Sequence, residues 1–141
     1  MTIENARPAH DRALAALEAA CFPADPWPES MISRLRERFI VARSGDELLG
    51  YIVLATVLDE GSIDNIAVAP AHRRKGVADL LVQEVIRRGR EMGLSFITLE
   101  VRAGNGPAIA LYRKHGFETV GRRKGYYEKP REDAVLMTVM L

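Results

Sequence analysis

Two hydrophobic periods alternate along the chain, and the changes between them mark its elements. Apolar or alternating runs over residues 3–7, 39–43, 48–57, 62–68, 94–102, 117–120 and 134–141 predict strands. In the fifth run Ser95, Ile97, Leu99 and Val101 share one face, and Phe96, Thr98, Glu100 and Arg102 the other. Helical spacing predicts a helix opened by Pro8 and carrying Leu14, Leu17 and Cys21. A second, short one starts at Pro28 and Glu29 and continues through Met31, Ile32 and Leu35. The longest runs from Val77 to Met92, with Val77, Leu81 and Val85 on one side and Gly93 as its C-cap. A last helix has Asn105 as N-cap and Pro107 in its first turn, carries Ile109, Leu111 and Tyr112, and ends at Gly116. Ser44-Gly45-Asp46-Glu47 and Asp59-Glu60-Gly61 read as turns, and residues 121–133 as a connecting loop.

These elements fit one domain over residues 1–141, since 141 residues with 48% hydrophobic positions can build a proper core. Twenty basic residues against 19 acidic leave a net charge of +1, so bulk charge does not draw the chain to nucleic acid or membrane. No apolar run is long enough to span a bilayer, and Met1-Thr2-Ile3-Glu4-Asn5 lacks an export pattern; the expected location is the cytoplasm. The single cysteine, Cys21, excludes an internal disulfide and reads as a small buried hydrophobe. His10, His72 and His115 have no metal-ligand spacing, so no metal is expected.

Chemistry concentrates at the junction between the fourth strand and the long helix. The stretch Ala69-Pro70-Ala71-His72-Arg73-Arg74-Lys75-Gly76-Val77-Ala78 joins them through a basic loop with small residues. Gly76 and Ala78 let backbone approach a ligand closely, and a helix N-terminus offers unpaired N–H groups and partial positive charge. With Arg73, Arg74 and Lys75 beside it, the junction reads as an anion site of the phosphate-cradle kind, the plainer alternative being a solvated basic turn between strand and helix. Its spacing is neither the Rossmann fingerprint nor the Walker loop.

That loop, Arg73-x-x-Gly76-x-Ala78, resembles the pyrophosphate loop of the GNAT acetyltransferase superfamily. A second segment, Asn105-x-x-Ala108-x-x-Leu111-Tyr112-x-x-x-Gly116-Phe117, resembles another of that superfamily's motifs, in the same order. Leu99-Glu100-Val101-Arg102, Arg122-Arg123-x-x-Tyr126-Tyr127 and Glu132-Asp133-Ala134 resemble its ribosomal-protein-alanine N-acetyltransferase branch, as do Phe22 and Pro26-Trp27. The resemblance covers nearly the whole chain. It implies an α/β (α+β) GNAT fold with a mixed central sheet of about seven strands, a splay between the fourth and fifth, and four flanking helices. It also implies acetyl-CoA as cosubstrate and a protein N-terminus as acceptor, the alanine of a small-subunit ribosomal protein above all.

Carried over residue by residue, the resemblance makes Glu100 the general base and Tyr112 the general acid. Ile66, Ala67, Val68, Arg73, Arg74, Lys75, Gly76, Val77, Ala78, Asp79, Asn105 and Tyr112 would hold the cofactor. Phe22, Trp27, Tyr126 and Tyr127 would bind the acceptor peptide. The residues also allow plainer roles. Glu100 could pair with Arg102, Tyr112 could be a packing ring, Asn105 a cap alone, and Phe22 and Trp27 a cover for the sheet. Alternatives to the N-terminal activity are transfer to other N-termini, lysine side chains or small amines, or a CoA-binding sensor without turnover. A nucleic-acid module is a further one, weakened by the balanced charge.

Overall fold

A computed structural model describes residues 1–141. Seven strands, β1 (Thr2–Asn5), β2 (Phe39–Ser44), β3 (Glu47–Val57), β4 (Glu60–Val68), β5 (Phe96–Arg102), β6 (Glu118–Tyr127) and β7 (Glu132–Met140), form one sheet in the order β1-β2-β3-β4-β5-β7-β6. Four α-helices accompany it: α1 (Asp11–Cys21), α2 (Glu29–Arg34), α3 (Val77–Glu91) and α4 (Gly106–Lys114). The β4–β5 pair is parallel, while β1–β2, β2–β3, β5–β7 and β6–β7 are antiparallel, so the sheet is mixed as expected.

By its contacts the chain falls into two compact units, residues 1–54 with 65–84 and residues 55–64 with 85–141. In the first, Leu14 and Leu17 of α1 and Ile32 of α2 pack on Phe39, Val41, Tyr51, Val53 and Ala67, which share one face by strand parity. Gly50 serves the opposite face. A Cβ there would sit 2.7 Å from the Ala67 carbonyl oxygen and 3.3 Å from the Val77 side chain, so only glycine lets β4 and the start of α3 come so near.

In the second unit, β5 alternates as its sequence requires: Ile97, Leu99 and Val101 are buried and pair with Val139, Met137 and Val135 of β7. The second half of α3 lies on this face, where a Cβ at Gly89 would meet the Ile97 side chain at 3.0 Å. Asn105 caps α4 as expected, its side chain accepting from the Ala108 N–H at 3.2 Å.

Among the boundaries that differ from the sequence reading, three have a structural cause. The first strand stops at Asn5, because Pro8–His10 forms a 3₁₀ turn and the Arg7 N–H donates to His10 Nδ1 at 2.9 Å. Gly61 is buried inside β4 opposite Ile97. The turn before it falls at Leu58 and Asp59, with Leu58 in the left-handed region at φ 55°. Residues 121–127 are not loop but the second half of β6, paired with β7. Arg122, Arg123 and Lys124 hide that strand from pattern reading; β6 is an edge of the sheet, where backbone pairing suffices and charged side chains stay in solvent.

Candidate functional site

The parallel β4–β5 ladder is shorter than either of its strands. β4 and β5 pair from Glu60↔Phe96 through Ile63↔Leu99, and there the register stops. Both strands continue, β4 to Val68 with the first unit and β5 to Arg102 with the second. Glu100 is thus the first residue of β5 past the ladder. The backbone N–H and C=O groups beyond that point need other partners, from the protein or from a ligand.

The first unit carries the basic loop between β4 and α3. β4 leads through the 3₁₀ turn Pro70–His72 to Arg73, and α3 begins at Val77. Arg74 at φ 64° and Gly76 at φ 80° both take left-handed conformations, which turn successive N–H groups toward one side of a loop. The Gly76 carbonyl accepts from the Leu80 N–H at 3.2 Å, so the amides of Gly76 to Asp79 form the donor-rich first turn. Arg73, Arg74, Lys75 and Gly76 are exposed and Val77 is buried, which seats the helix while leaving the loop open. Arg73 folds back: its Nε donates to the Val68 carbonyl at 3.2 Å, and its guanidinium lies 3.7 Å from Cys21 Sγ. Cys21, expected as a small buried hydrophobe, is half-buried and packs against the first core. The Ile66 N–H donates to Asn65 Oδ1 at 3.0 Å.

The second unit carries the carboxylate and the phenols. The Glu100 side chain is 29% exposed and lies 3.7 Å from the Arg123 guanidinium, itself mostly in solvent. The Tyr126 hydroxyl bonds to Glu100, which, ahead of the nearby negative charge, pushes that phenol up from its ordinary value. The expected Glu100–Arg102 alternative does not form. Arg102 turns to Glu132 at 3.2 Å, to the carbonyls of Pro130 and Glu128, and to the face of Tyr127 at 4.4 Å. Glu132 in turn accepts from the Gly104 N–H at 2.6 Å, tying the segment before α4 to the β6–β7 turn. Tyr126 and Tyr127 stack edge to face at 5.0 Å on this hairpin, Tyr126 being 48% exposed. The basic and acidic residues here are a local network, with Arg122 bonding Asp133 at 2.9 Å.

Tyr112 on α4 is buried and stands edge-on to Phe117 at 5.5 Å, so it does pack. Burial first, then the neighbouring Tyr127, pushes its phenol well above the ordinary value, and the group stays protonated at neutral pH. Of the expected peptide-binding rings, Trp27 packs edge-on to Phe39 at 6.1 Å and covers the first core, while Phe22 is 36% exposed at the end of α1. No group of three or more His, Cys, Asp or Glu side chains is placed to hold a metal.

Sequence reasoning missed Glu18. It is only 2% exposed and accepts from the Tyr51 hydroxyl, from Asn65 Nδ2 at 2.8 Å and from the Trp27 N–H at 2.9 Å. The signal was present, since Glu18 follows Leu14 by one helical turn and so interrupts the apolar stripe of α1.

The basic loop at the N-terminus of α3 belongs to one unit, and the part-exposed Glu100, past the end of the β4–β5 ladder, to the other. The model of the acetyltransferase (GNAT) family matches residues 10–117, and the chain belongs to that family, whose cosubstrate is acetyl-CoA. Its relatives include the ribosomal protein bS18-alanine N-acetyltransferase of Escherichia coli K12, 35% identical over 120 residues, covering 81% of this chain and 80% of that protein. The Haemophilus influenzae protein of the same name is 36% identical over 122 residues, covering 82% and 83%. Among solved structures, the Escherichia coli ribosomal-protein-S18-alanine N-acetyltransferase superposes with a TM-score of 0.90 at 31% identity, over 99% of this chain and 92% of that one. Ard1 of Thermoplasma volcanium follows at 0.89 and 26%, covering 99% and 97%. No helix is long and apolar enough to cross a membrane.

Proposed function

We propose that the chain transfers acetyl from acetyl-CoA to the N-terminal α-amino group of a protein, the N-terminal alanine of a small-subunit ribosomal protein being the preferred acceptor. The observation that carries this is Glu100: a part-exposed carboxylate, one residue past the last β4–β5 pair, with a phenol hydroxyl on it. The names of the relatives supply the acceptor.

In this reading the loop from Arg73 to Asp79 holds the pyrophosphate, and Asn105 and Tyr112 are further cofactor contacts. The Ile66 amide is engaged by Asn65, so the Val68 amide is the better donor to the thioester carbonyl. The acceptor amine must lose a proton as it attacks. An α-amino group has an ordinary pKa of about 7.7–8.0, against about 10.4 for lysine, so a carboxylate base suffices near neutral pH. Glu100 takes that proton, directly or through water; the C–N bond forms, the C–S bond breaks, and the sulfur leaves with the electron pair. Tyr112, held protonated by burial, is the general acid of this reading and donates a hydrogen bond to the departing thiolate. Tyr126, Tyr127, Phe22 and Trp27 contact the first residues of the acceptor.

The test is acetyl transfer by the purified chain to peptides beginning with Ala, Ser or Met and to an N-blocked lysine peptide, read by mass spectrometry. The Ala peptide is expected to react fastest and the blocked peptide hardly at all. Equal or faster transfer to the lysine side chain overturns the acceptor assignment; CoA binding without any transfer makes the chain a sensor.

A further inference from the structure

Glu18 lies outside the machinery just described, yet it is among the most enclosed side chains in the first unit. Its three partners are neutral donors from three elements: the Tyr51 hydroxyl of β3, Asn65 Nδ2 of β4, and the Trp27 N–H of the Pro-rich stretch after α1. A buried carboxylate is costly unless hydrogen bonds satisfy it, and an apolar side chain of similar size usually serves stability at least as well. What the carboxylate adds is direction.

The direction has identifiable targets. Pro23, Pro26 and Pro28 have no N–H, so the stretch between α1 and α2 has few backbone donors with which to fasten itself. The Asp25 N–H bonds within the stretch, to the Phe22 carbonyl at 3.3 Å, and the Trp27 N–H goes to Glu18. The Glu18 carbonyl also accepts from the Phe22 N–H at 2.8 Å, so one residue holds the stretch near both ends. On β4, Glu18 determines which way the Asn65 amide points. With Nδ2 on the carboxylate, Oδ1 is left to take the Ile66 N–H; the reversed amide would set two donors against each other.

We infer that Glu18 is a positioning residue for the acceptor peptide: without touching substrate, it anchors Trp27 and orients Asn65 where β4 leaves its ladder. This rests on the proposed N-terminal activity, with Trp27 on the peptide side. The pyrophosphate loop makes none of these bonds, so peptide and cofactor recognition separate in the test.

Trp27 is the sole tryptophan of the chain and reports its own anchoring. Glu18→Gln keeps the volume and replaces one acceptor oxygen by a donor. Its expected signature has three parts: acrylamide quenching of Trp27 rises about twofold or more, the peptide KM rises about tenfold, and the CoA Kd by calorimetry stays within about twofold. Adding Asn65→Asp to Glu18→Gln moves the carboxylate onto β4 while the introduced amide donates to it, and should recover most of the peptide KM. Tyr51→Phe, which removes one donor and keeps the ring, should move the same readouts the same way by less, and it replaces Glu18→Gln if that variant does not fold. Unchanged Trp27 quenching overturns the inference. So does a parallel loss of CoA affinity, peptide affinity and Tm, which would mark a general support. Quenching and CoA binding need no turnover, so if no peptide is acetylated the proposed activity fails while the anchoring is still measured.

Discussion

Glu18 and Glu100 are both glutamates held by a tyrosine hydroxyl, and their surroundings are opposite. Glu18 is 2% exposed and all its named partners are buried or half-buried donors of the first unit. Glu100 keeps 29% of its side chain in solvent, and its partners Arg123 and Tyr126 are themselves exposed. A carboxylate enclosed by three donors from separate elements is built into a network, which suits the anchor inferred for it. One left part-exposed past the end of a strand ladder keeps acceptor sites open, which suits the general base proposed for it. The difference lies in what surrounds the two residues, since the residue type is the same.

Asp11 falls between the two. It is nearly as buried as Glu18 but has a cation, with Arg36 at 2.6 Å and the Ser33 hydroxyl beside it. The Arg36 hydrogen bonds outweigh burial and lower its pKa from 3.8 to about 2.

Four substitutions would break or sharpen this contrast. The largest effect is expected for Glu100→Gln: kcat falls about 10²–10³-fold, with Tm and CoA binding nearly unchanged, by steady-state kinetics beside calorimetry. A loss below about threefold would move Glu100 from base to bystander. Tyr112→Phe should lower kcat about tenfold or more while retaining CoA, since the ring still packs on Phe117 and only the donor to the leaving sulfur is gone. If stability falls instead and kcat holds, Tyr112 is a packing ring alone. Tyr126→Phe removes a hydroxyl from a base that stays open to water, so kcat should change by less than about fivefold. The peptide KM should rise more.

The smallest effect concerns stability. The Asp11 pKa is depressed on folding, so its contribution is complete above the ordinary carboxylate range and lost as pH falls from about 4 to about 2. Arg36→Met should therefore lower Tm by about 3–5 °C at pH 7, the pair being partly screened, and by much less near pH 2. A Tm difference that persists unchanged into acid would show that Arg36 acts through packing.

Much of the site was legible as local chemistry. Arg73 to Ala78, Asn105 and Gly116 are constrained by loop, cap and terminator rules that depend on near neighbours in the chain, and each element they predict is present. The alternation in β5 placed Glu100 on the face opposite Ile97, Leu99 and Val101 for the same reason. Residues 121–127 escaped because their strand is held by pairing with β7, a long-range partner that pattern reading does not see. Arg102 escaped likewise. Its neighbour on the strand face is Glu100, but a chain turn 26 to 30 residues on supplies Glu128, Pro130 and Glu132 instead.

The sequence by itself determined the family, the basic small-residue loop at the start of α3, the cap at Asn105 and the two residues proposed for proton handling. Local backbone preferences and short motifs depend on residues close in the chain. Only the tertiary structure decided which glutamate is sealed and which is open. Burial and hydrogen-bond supply come from segments far apart in sequence: Trp27, Tyr51 and Asn65 around Glu18, and Arg123 and Tyr126 around Glu100. A carboxylate's role depends on the donors the fold brings to it, and one-dimensional spacing does not contain that.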